Sequence, residues 1–304
     1  MSGVTTRFAP SPTGRLHLGH AFSAIQAHDF ARAHGGRFLL RIEDIDGTRS
    51  RPEHVAAILA DLEWLGLEWD GEVTFQSERL ALYQQALARL KARALVYPCF
   101  CTRAEIAREI EAAGSAPHGP DGPVYPGTCR RLSDAERAER MREPHAWRLD
   151  MGRALASLQS APAPEAPGGS AAAGRLRWHD QVAGAHDADP AQFGDVVLAR
   201  KDAPSSYHLA VTVDDAAQGV THVVRGVDLF AATHVHRLLQ ALLDLPAPVY
   251  RHHPLLTDAA GNRLAKRHDA PTLEALRLAG RDGRALAGEL RAGRLPSGFS
   301  CVSH

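Results

Sequence analysis

Two histidines, His17 and His20, open an apolar stretch of the chain within the segment "RFAPSPTGRLHLGH" of residues 7–20. Residues three positions apart lie on one face of an α-helix, and the free amide groups at a helix start attract phosphate. Gly19 leaves space for a base or a ribose, and the preceding proline–threonine–glycine turn directs backbone donors towards phosphate. The segment therefore predicts a nucleotide site, although a chain with 17 histidines also places such pairs in ordinary surface or core positions.

A basic segment far downstream, "GNRLAKRH" at residues 261–268, offers Lys266 and Arg267 to the same chemistry. A mobile lysine can neutralise the charge that builds on a pyrophosphate leaving group, as nucleotidyl transfer requires. Taken alone, the segment is also typical of a solvated basic turn. The histidine segment favours the chemical interpretation, and Lys266 becomes the expected catalytic partner of the two histidines.

Three clustered cysteines predict a metal site. Cys99 and Cys101 flank a phenylalanine, and Cys129 follows a loop rich in glycine and proline, a spacing typical of zinc modules. The fourth ligand is Tyr125 or His118, of which imidazole is the commoner zinc ligand. Three buried cysteines without a metal are the alternative, because free cysteine packs like a small apolar residue. A four-ligand zinc ion has no open position for a substrate, so we expect it to be structural.

The elements that position these residues follow from the hydrophobic pattern. A strand at about residues 4–9, a helix near 18–34 and a buried strand at 37–42 predict a β–α–β unit, and two helical segments follow it. The alternation resumes near residue 195 and leads to a helix at about 228–244. We therefore expect an α/β fold whose catalytic domain is a Rossmann-like, doubly wound parallel sheet with a small zinc-binding insertion.

Two neighbouring carboxylates, Asp214 and Asp215, follow the segment "SSYHLAVTV". Paired carboxylates can serve a metal or acid–base chemistry. The sequence favours a plainer interpretation, in which a turn leaves both side chains solvated.

Changes in composition divide the chain into four parts. Residues 1–97 form the first half of the catalytic domain, and 98–135 form the zinc-binding insertion. Residues 136–270 hold the rest of the insertion and the second catalytic half with the lysine segment, and 271–304 form a helical tail. Within the third part, residues 154–174 predict a mobile surface loop because Ala, Pro, Gly and Ser dominate them.

The overall composition is that of a globular protein with one or two domains. The chain has 304 residues, of which 44% are hydrophobic, and this is enough for a core. It has no apolar run of bilayer length and no signal or transit features, so we expect a cytoplasmic protein without a membrane partner. The cysteines are too few for a secreted disulfide framework. With a formal net charge of zero, an RNA partner would bind only through local patches.

Four segments, taken in order, resemble the class I aminoacyl-tRNA synthetases of the glutamyl type. They are the histidine segment, "RIEDID" at 41–46, "VVRGVDL" at 223–229 and the lysine segment, and they cover most of the chain from residue 5 to about 270. The resemblance implies that glutamate is activated with ATP, which magnesium accompanies, and is then transferred to a hydroxyl of an RNA nucleoside. Residues 267–304 are too few for the anticodon-binding domain of full-length members. The chain is therefore most similar to truncated members, which attach glutamate to the queuosine base of tRNA(Asp).

The resemblance also implies roles for individual residues. It implies that glutamate is bound by Arg7, Phe8, Ala9, Pro10, Ser11, Glu43, Tyr207 and Arg225. It implies that ATP is bound by His17, Gly19, His20 and Lys266, of which the two histidines and the lysine are catalytic. For one zinc ion per chain, it implies the ligands Cys99, Cys101, Tyr125 and Cys129.

Elementary chemistry agrees with the implied glutamate site. A substrate with two carboxylates needs cations such as Arg7 and Arg225, and Glu43, at the C-terminal end of a predicted strand, suits its ammonium group. Tyr207 can close the pocket with its ring and donate its hydroxyl. The alternatives are exposed ion pairs for the "RIEDID" segment, including Arg41, and a core position for Tyr207.

One departure from the family pattern concerns the lysine segment, where Ala265 occupies the position of a usual serine and removes one phosphate hydrogen bond. Three rival functions stay open. They are a short glutamyl-tRNA synthetase that charges a tRNA 3′ end, a non-catalytic RNA-binding relative and an adenylyltransferase for a small molecule. We expect a monomer.

Overall fold

The N-terminal part of the chain is a parallel β–α–β arrangement, as the sequence predicts. The computed structural model describes residues 3–112, 118–159, 176–258, 271–295 and 299–302. β1 and β3 both pair with β2 in parallel. The first elements are β1 (Thr5–Phe8), α1 (Leu18–Ala33), β2 (Arg37–Ile42), α2 (Pro52–Trp64), β3 (Thr74–Phe75) and α3 (Leu80–Ala92).

The middle of the chain builds a smaller, antiparallel sheet. The elements of this part of the chain are β4 (Val96–Cys99), α4 (Arg103–Ala112), β5 (His118–Gly119), β6 (Gly122–Pro123), α5 (Asp134–Arg140), β7 (Ala146–Leu149), α6 (Met151–Gln159), β8 (Arg177–Asp180), β9 (Gly184–Asp187) and β10 (Val197–Ala199). β7 pairs antiparallel with both β4 and β10, whereas β5 and β6 form a short hairpin.

The predicted surface loop at residues 154–174 is wrong at its start. Residues 154–159 belong to helix α6, because Ala154 is buried and Leu155 and Leu158 pack against an apolar core. Residues 160–174 lie outside the described part of the chain.

The C-terminal part returns to parallel pairing. It contains α7 (Tyr207–Ala217), β11 (His222–Gly226), α8 (Ala232–Leu242), β12 (Val249–His253), β13 (Leu255–Asp258), α9 (Leu273–Leu278), α10 (Gly283–Arg291) and β14 (Phe299–Val302). β12 pairs in parallel with β11 and with β8, whereas β9 and β14 are antiparallel to their neighbours.

The two parallel sheets meet along β1 and β11. The Thr221 amide donates to the Thr5 carbonyl oxygen at 3.0 Å, and the Thr5 amide donates to Thr221 Oγ1 at 2.8 Å. The expected α/β class with a parallel sheet is confirmed. The parallel strands nevertheless form two sheets joined at this contact rather than one continuous ladder.

The two largest apolar clusters among the described residues support the fold. One lies around α1, β2 and α2 and includes Ile25, Leu62 and, from the C-terminal tail, Leu286. The other lies among α3, α7 and α8 and includes Leu209 and Leu238. The domain boundaries inferred from composition stay predictions. Within the described ranges, no helix has the length and apolar character needed to span a membrane.

Candidate active site

A cavity of about 300 Å³ opens where β1 and β11 end and where α1 and α7 begin. This is the usual place for ligands of parallel α/β sheets, and the volume is at the small end of ligand pockets. The residues implied for glutamate and ATP line it together, namely Arg7, Phe8, Ala9, Pro10, Ser11, His17, Gly19, His20, Glu43, Tyr207 and Arg225. Lys266, with Arg267 and Ala265, lies outside the described residues.

The two histidines cap helix α1. His17 is the N-cap residue, and its Nδ1 accepts a hydrogen bond from the Gly19 amide at 3.1 Å. His20 Nδ1 accepts in return from the His17 amide at 3.2 Å, which completes a reciprocal capping box. The ring centroids lie 3.9 Å apart. Histidines in this role fix both imidazoles at the positive end of the helix dipole, where phosphate binds.

The described residues on both sides of the lysine segment lie beside the histidines. Leu255 and Leu256 of β13 line the cavity before the segment. After the segment, Thr272 forms an isolated antiparallel β-bridge with His17, and the Leu273 amide donates to the Leu16 carbonyl oxygen at 2.9 Å. Both flanks of the segment therefore meet the edge of the cavity.

A buried carboxylate, that of Asp215, forms an ion pair with Arg7. Its Nε donates to Asp215 Oδ1 at 3.0 Å, and the same oxygen accepts from Arg41 Nη1 at 2.8 Å. Burial alone would raise the pKa of Asp215, but the two guanidinium groups together lower it, so this carboxylate is ionised. Arg41 is completely buried, which contradicts the alternative of exposed ion pairs for this part of "RIEDID".

The interpretation of Asp214 and Asp215 as solvated turn residues is wrong. Both lie in helix α7 and are buried. Asp214 accepts hydrogen bonds from Gln76 at 2.8 Å, Arg79 at 2.7 Å and Tyr83 at 2.7 Å. Buried carboxylates persist only when such partners compensate their lost hydration, and the partners come from distant parts of the chain.

The other acidic residues of "RIEDID" differ from Glu43. Asp44 accepts from the Ser77 amide and hydroxyl, and Asp46 accepts from Thr48 and Arg49. These contacts fix the loop after β2. Of the three carboxylates Glu43, Asp44 and Asp46, Glu43 alone lines the cavity.

Glu43 has an unusual acidity. Burial raises the pKa of this carboxyl to about 7, against the opposing charges of Arg41 and Arg7. Its closest cation is Arg41, whose Nη2 lies 3.7 Å from Oε1 and is too distant for a hydrogen bond. The carboxyl therefore needs a further cation before it ionises fully at neutral pH.

Arg225 is buried, and the hydrogen bonds of its guanidinium go to neutral groups. Nε donates to His252 Nε2 at 3.1 Å, and Nη2 donates to Thr233 Oγ1 at 2.7 Å and to the Leu229 carbonyl oxygen at 3.0 Å. Nη1 contacts His236 and, at 3.4 Å, the Tyr207 hydroxyl. Tyr207 is 37% exposed and lines the cavity, so it is not the core aromatic of the alternative interpretation.

Several residues of the cavity were not identified from the sequence. Phe22, Ser23, Asp228 and His253 also line it, and His253 Nε2 lies 3.0 Å from Ser23 Oγ. Asp228 belongs to the quoted "VVRGVDL" segment, which is the one signal that could have identified it. The others carry no distinctive spacing.

The three cysteines of the insertion converge. The Sγ atoms of Cys99, Cys101 and Cys129 lie within 4.8 Å of one another. The Tyr125 hydroxyl lies 3.5 Å from both Cys99 Sγ and Cys101 Sγ, whereas His118 is exposed and is not in this cluster. Burial raises the pKa of Cys101 to about 12, whereas hydrogen bonds from Tyr125 and the Phe100 amide outweigh burial and lower the pKa of Cys129. The three sulfurs could hold a metal ion, and the Tyr125 hydroxyl lies beside them.

Comparison with known proteins identifies a family whose sequence pattern matches this chain. The family described as tRNA synthetases class I (E and Q), catalytic domain, matches residues 3–157 and 170–286. A glutamyl-Q tRNA(Asp) synthetase of Rhodobacter capsulatus is 52% identical over 282 residues, which cover 91% of this chain and 96% of the relative. A protein of the same name from Symbiobacterium thermophilum is 45% identical over 93% of this chain and 84% of its own length.

Solved structures agree in fold. A glutamate–tRNA synthetase from Elizabethkingia anophelis superimposes with a TM-score of 0.76 at 26% identity and covers 95% of this chain. The glutamate–tRNA ligase of Elizabethkingia meningosepticum, solved with its amino acid, gives the same TM-score. The chain spans 61% and 60% of the length of these two proteins.

Proposed function

Because the chain belongs to the class I tRNA synthetases for glutamate and glutamine, we propose that it activates glutamate with ATP and transfers it to the queuosine base of tRNA(Asp). It is an enzyme of the ligase type. The observation that carries the proposal is the convergence of two arginines, one carboxyl and a pair of helix-capping histidines on one cavity. Relatives named glutamyl-Q tRNA(Asp) synthetase match nearly the whole chain, and this supports the queuosine base of tRNA(Asp) as the acceptor.

The charges of the cavity suggest how glutamate is oriented. Arg225 has no anionic partner among the described residues, so we assign it to the side-chain carboxylate of the substrate. Glu43 supplies the anion for the substrate ammonium, which in turn favours its ionised form. Arg7 is balanced by Asp215 and lines the same cavity beside Phe8, Ala9, Pro10 and Ser11, where it orients the amino acid.

In the first step, the α-carboxylate of glutamate attacks the α-phosphorus of ATP, which binds as its magnesium complex, and pyrophosphate leaves. His17 and His20, with Gly19 between them, meet the phosphates at the start of α1. Lys266 neutralises the charge that develops on the leaving group. In the second step, a hydroxyl of the nucleoside attacks the carbonyl carbon and AMP leaves. Positioning supplies much of the acceleration in both steps.

We assign the cysteine cluster to one structural zinc ion per chain. Cys99, Cys101, Cys129 and Tyr125 would hold it, and Tyr125 takes the place for which His118 is the alternative. Metal analysis of the purified protein tests this: we expect about one zinc per chain, lost in Cys101→Ser. A Tyr125→Phe protein that retains zinc, beside a His118→Ala protein that loses it, would reverse the choice of fourth ligand.

The function is tested by incubating the protein with labelled glutamate and ATP and with one of three RNAs. Label on tRNA(Asp) that carries queuosine, and neither on tRNA(Asp) without it nor on tRNA(Glu), supports the proposal. Label on tRNA(Glu) indicates a short glutamyl-tRNA synthetase. The absence of both charging and pyrophosphate exchange indicates a binding protein. A monomeric state and a cytoplasmic location stay predictions.

The role of Lys266 has its own test. We expect Lys266→Met to slow pyrophosphate exchange by about 100-fold or more, because one charge on the leaving group is lost, while glutamate binding measured by calorimetry is nearly unchanged. Lys201→Met, which removes another of the chain's three lysines far along the sequence, is the matched control. An equal loss of exchange and of glutamate binding in Lys266→Met would contradict the role.

A further inference from the structure

The guanidinium of Arg225 is surrounded by acceptors that carry no charge. Two are ring nitrogens, His252 Nε2 at 3.1 Å and His236 Nδ1 at 3.3 Å. The others are the hydroxyls of Thr233 and Tyr207 and a backbone carbonyl. No carboxylate of the described residues lies within ion-pair distance of it. A buried guanidinium without a contacting anion is costly unless a ligand provides one.

The tautomer of His252 follows from its hydrogen bonds. Its Nδ1 lies 2.7 Å from Asp180 Oδ2. Although burial opposes ionisation, the amides of Ala183 and Val182 and the His252 contact lower the pKa of Asp180, so it is a carboxylate that only accepts. Nδ1 of His252 therefore carries the proton, and Nε2 presents a lone pair to Arg225.

The tautomer of His236 follows in the same way. Its Nδ1 must accept from Arg225, so its proton is on Nε2, which lies 3.2 Å from His208 Nδ1. His208 then carries its own proton on Nε2, and Asp121 Oδ2 of the turn between β5 and β6 lies 4.0 Å from this atom. His252 thus connects Arg225 to Asp180 by hydrogen bonds, whereas the His236–His208 pair ends 4.0 Å from Asp121, too far for a hydrogen bond. Neither carboxylate contacts the guanidinium.

Both rings are kept neutral by their surroundings. Burial, and then the charge of Arg225, lowers the pKa of His252 to about 4, although Asp180 opposes the shift. The same two causes lower the pKa of His236 well below its usual value and that of His208 to about 4. A protonated ring could not accept a hydrogen bond from Arg225. Burial and hydrogen bonding therefore both require the neutral form of these two rings.

We propose that His236 and His252 are positioning residues that hold Arg225 through neutral ring nitrogens, which leaves its charge for the side-chain carboxylate of the substrate. The pair thereby sets the preference for glutamate over glutamine. This rests on the proposed function. Arg7 differs from Arg225 in its charge balance, because Asp215 contacts Arg7 directly and neutralises its charge within the protein.

The experiment compares two nearly isosteric changes at one position. His236→Asn replaces the Nδ1 acceptor by a neutral amide oxygen, whereas His236→Asp replaces it by a carboxylate. Pyrophosphate exchange without RNA gives KM and kcat for glutamate and glutamine, and calorimetry gives glutamate binding. The matched control is the same pair of changes at His234, which lies on the same helix and accepts from the Asp189 amide at 3.0 Å instead.

We expect His236→Asn to keep the KM for glutamate within about threefold of the parent value, because the neutral acceptor is retained. His236→Asp should raise that KM about ten- to hundredfold, as loss of a charge-assisted contact predicts, and should reduce the preference over glutamine by a similar factor. The KM for ATP should not change in either variant. Both His234 variants should behave alike.

Equal glutamate KM values for the Asp and Asn variants at position 236 would overturn the inference. So would an equal effect of the Asp change at positions 234 and 236. Failure of the parent protein to bind glutamate at all would overturn the proposed function itself, and with it this inference. Thermal unfolding of all four variants identifies a loss that is due to misfolding.

Discussion

Arg7 and Arg225 face the same cavity, but their charges are balanced differently. Asp215 contacts Arg7 at 3.0 Å, whereas Arg225 contacts neutral rings, hydroxyls and a carbonyl. A cation whose charge is already paired inside the protein gains less from a ligand carboxylate than one that lacks a partner. We therefore expect discrimination between glutamate and its amide to depend on Arg225, and orientation of the amino acid to depend on Arg7.

The acidity of Glu43 predicts a pH dependence of glutamate binding. Its pKa of about 7 means that acidic solution protonates the carboxyl, and a protonated carboxyl cannot pair with the substrate ammonium. We expect the KM for glutamate to be constant well above pH 7 and to rise about tenfold per pH unit well below it. Exchange kinetics between pH 5.5 and 8.5 measure this, with the KM for ATP as reference.

The control for the pH dependence is Glu43→Gln, which cannot titrate. Its KM for glutamate should be higher than that of the parent at pH 8 and nearly independent of pH. The same acidic rise of KM in this variant would assign the titration to another group.

The buried carboxylate Asp215 predicts a large loss of stability on neutralisation. Asp215→Asn leaves Arg7 and Arg41 buried without their shared anion, and we expect the free energy of unfolding to fall by about 3–5 kcal/mol. Asp187→Asn is the matched control, because Asp187 pairs with Arg177 on the surface at 2.8 Å and should cost less than about 1 kcal/mol. Urea unfolding compares the two, and similar losses would argue against a structural role of the buried network.

Ordered motifs in the sequence predict part of this site. Glu43, Arg225 and the two histidines stand in ordered segments, so their positions were predicted and their convergence is now observed. Asp214 and Asp215 were misread because their partners are distant in sequence: Arg41 precedes Asp215 by more than 170 positions. No local pattern indicates that a pair of aspartates on a helix will be buried under arginines of another element.

Among the elements, the N-terminal ends of two helices position residues at the cavity. α1 begins with a histidine capping box at the cavity, and α7 is capped by Ser206, whose hydroxyl accepts from the Leu209 amide. Because α7 starts after Ser206, Tyr207 lines the cavity and His208 lies against His236. The sequence predicted α1 from its periodicity, but the N-cap role of His17 required the observed hydrogen bonds.

The end of α3 predicts a stabilising substitution. Ala94 follows the helix with φ of 51°, a left-handed conformation that costs a non-glycine residue about 1–2 kcal/mol. Ala94→Gly relieves this cost but loosens the unfolded chain, so we expect a net gain of about 0.5–1 kcal/mol in the free energy of unfolding. Chemical denaturation measures it.

The reverse change at a similar helix end is the control. Gly280 follows α9 with φ of 77°, and no atom lies within 4 Å of the position that a Cβ would take, so Gly280→Ala isolates the backbone cost. It should destabilise by about 1 kcal/mol. If Ala94→Gly also destabilised, the strain attributed to Ala94 would not exist in solution.

The insertion shows how far cysteine spacing can be used. The spacing predicted that Cys99, Cys101 and Cys129 belong together, and their sulfur atoms do converge. The spacing could not choose between Tyr125 and His118, because that choice depends on how the loop after β6 folds back. The buried Tyr125 hydroxyl lies against two of the thiols, and its aromatic ring packs with Arg148.

In the whole molecule, the C-terminal tail packs into the core around α1 and α2. Leu273, Leu286 and Leu290 are buried in the same core as α1 and α2, and the Trp64 indole donates to the Arg281 carbonyl oxygen at 3.1 Å. A side chain at Gly283 would have its Cβ 2.2 Å from the Trp64 carbonyl oxygen, so the approach of α10 to α2 requires glycine. The sequence predicted a helical tail, but its packing depends on contacts that no local pattern encodes.

This packing predicts that the tail supports the histidine end of α1. Leu286→Ala opens a cavity in the shared core, and we expect the free energy of unfolding to fall by about 2–4 kcal/mol in a single transition. Leu278→Ala, on the same tail but 76% exposed, should change it by less than about 0.5 kcal/mol. Urea unfolding followed by tryptophan fluorescence measures both, since Trp64 lies at the contact.

The same substitution should affect ATP binding. Because Thr272, at the start of the tail, forms a β-bridge with His17, Leu286→Ala should also raise the KM for ATP more than that for glutamate. A tail that unfolded by itself, with α1 and the exchange activity intact, would contradict this coupling.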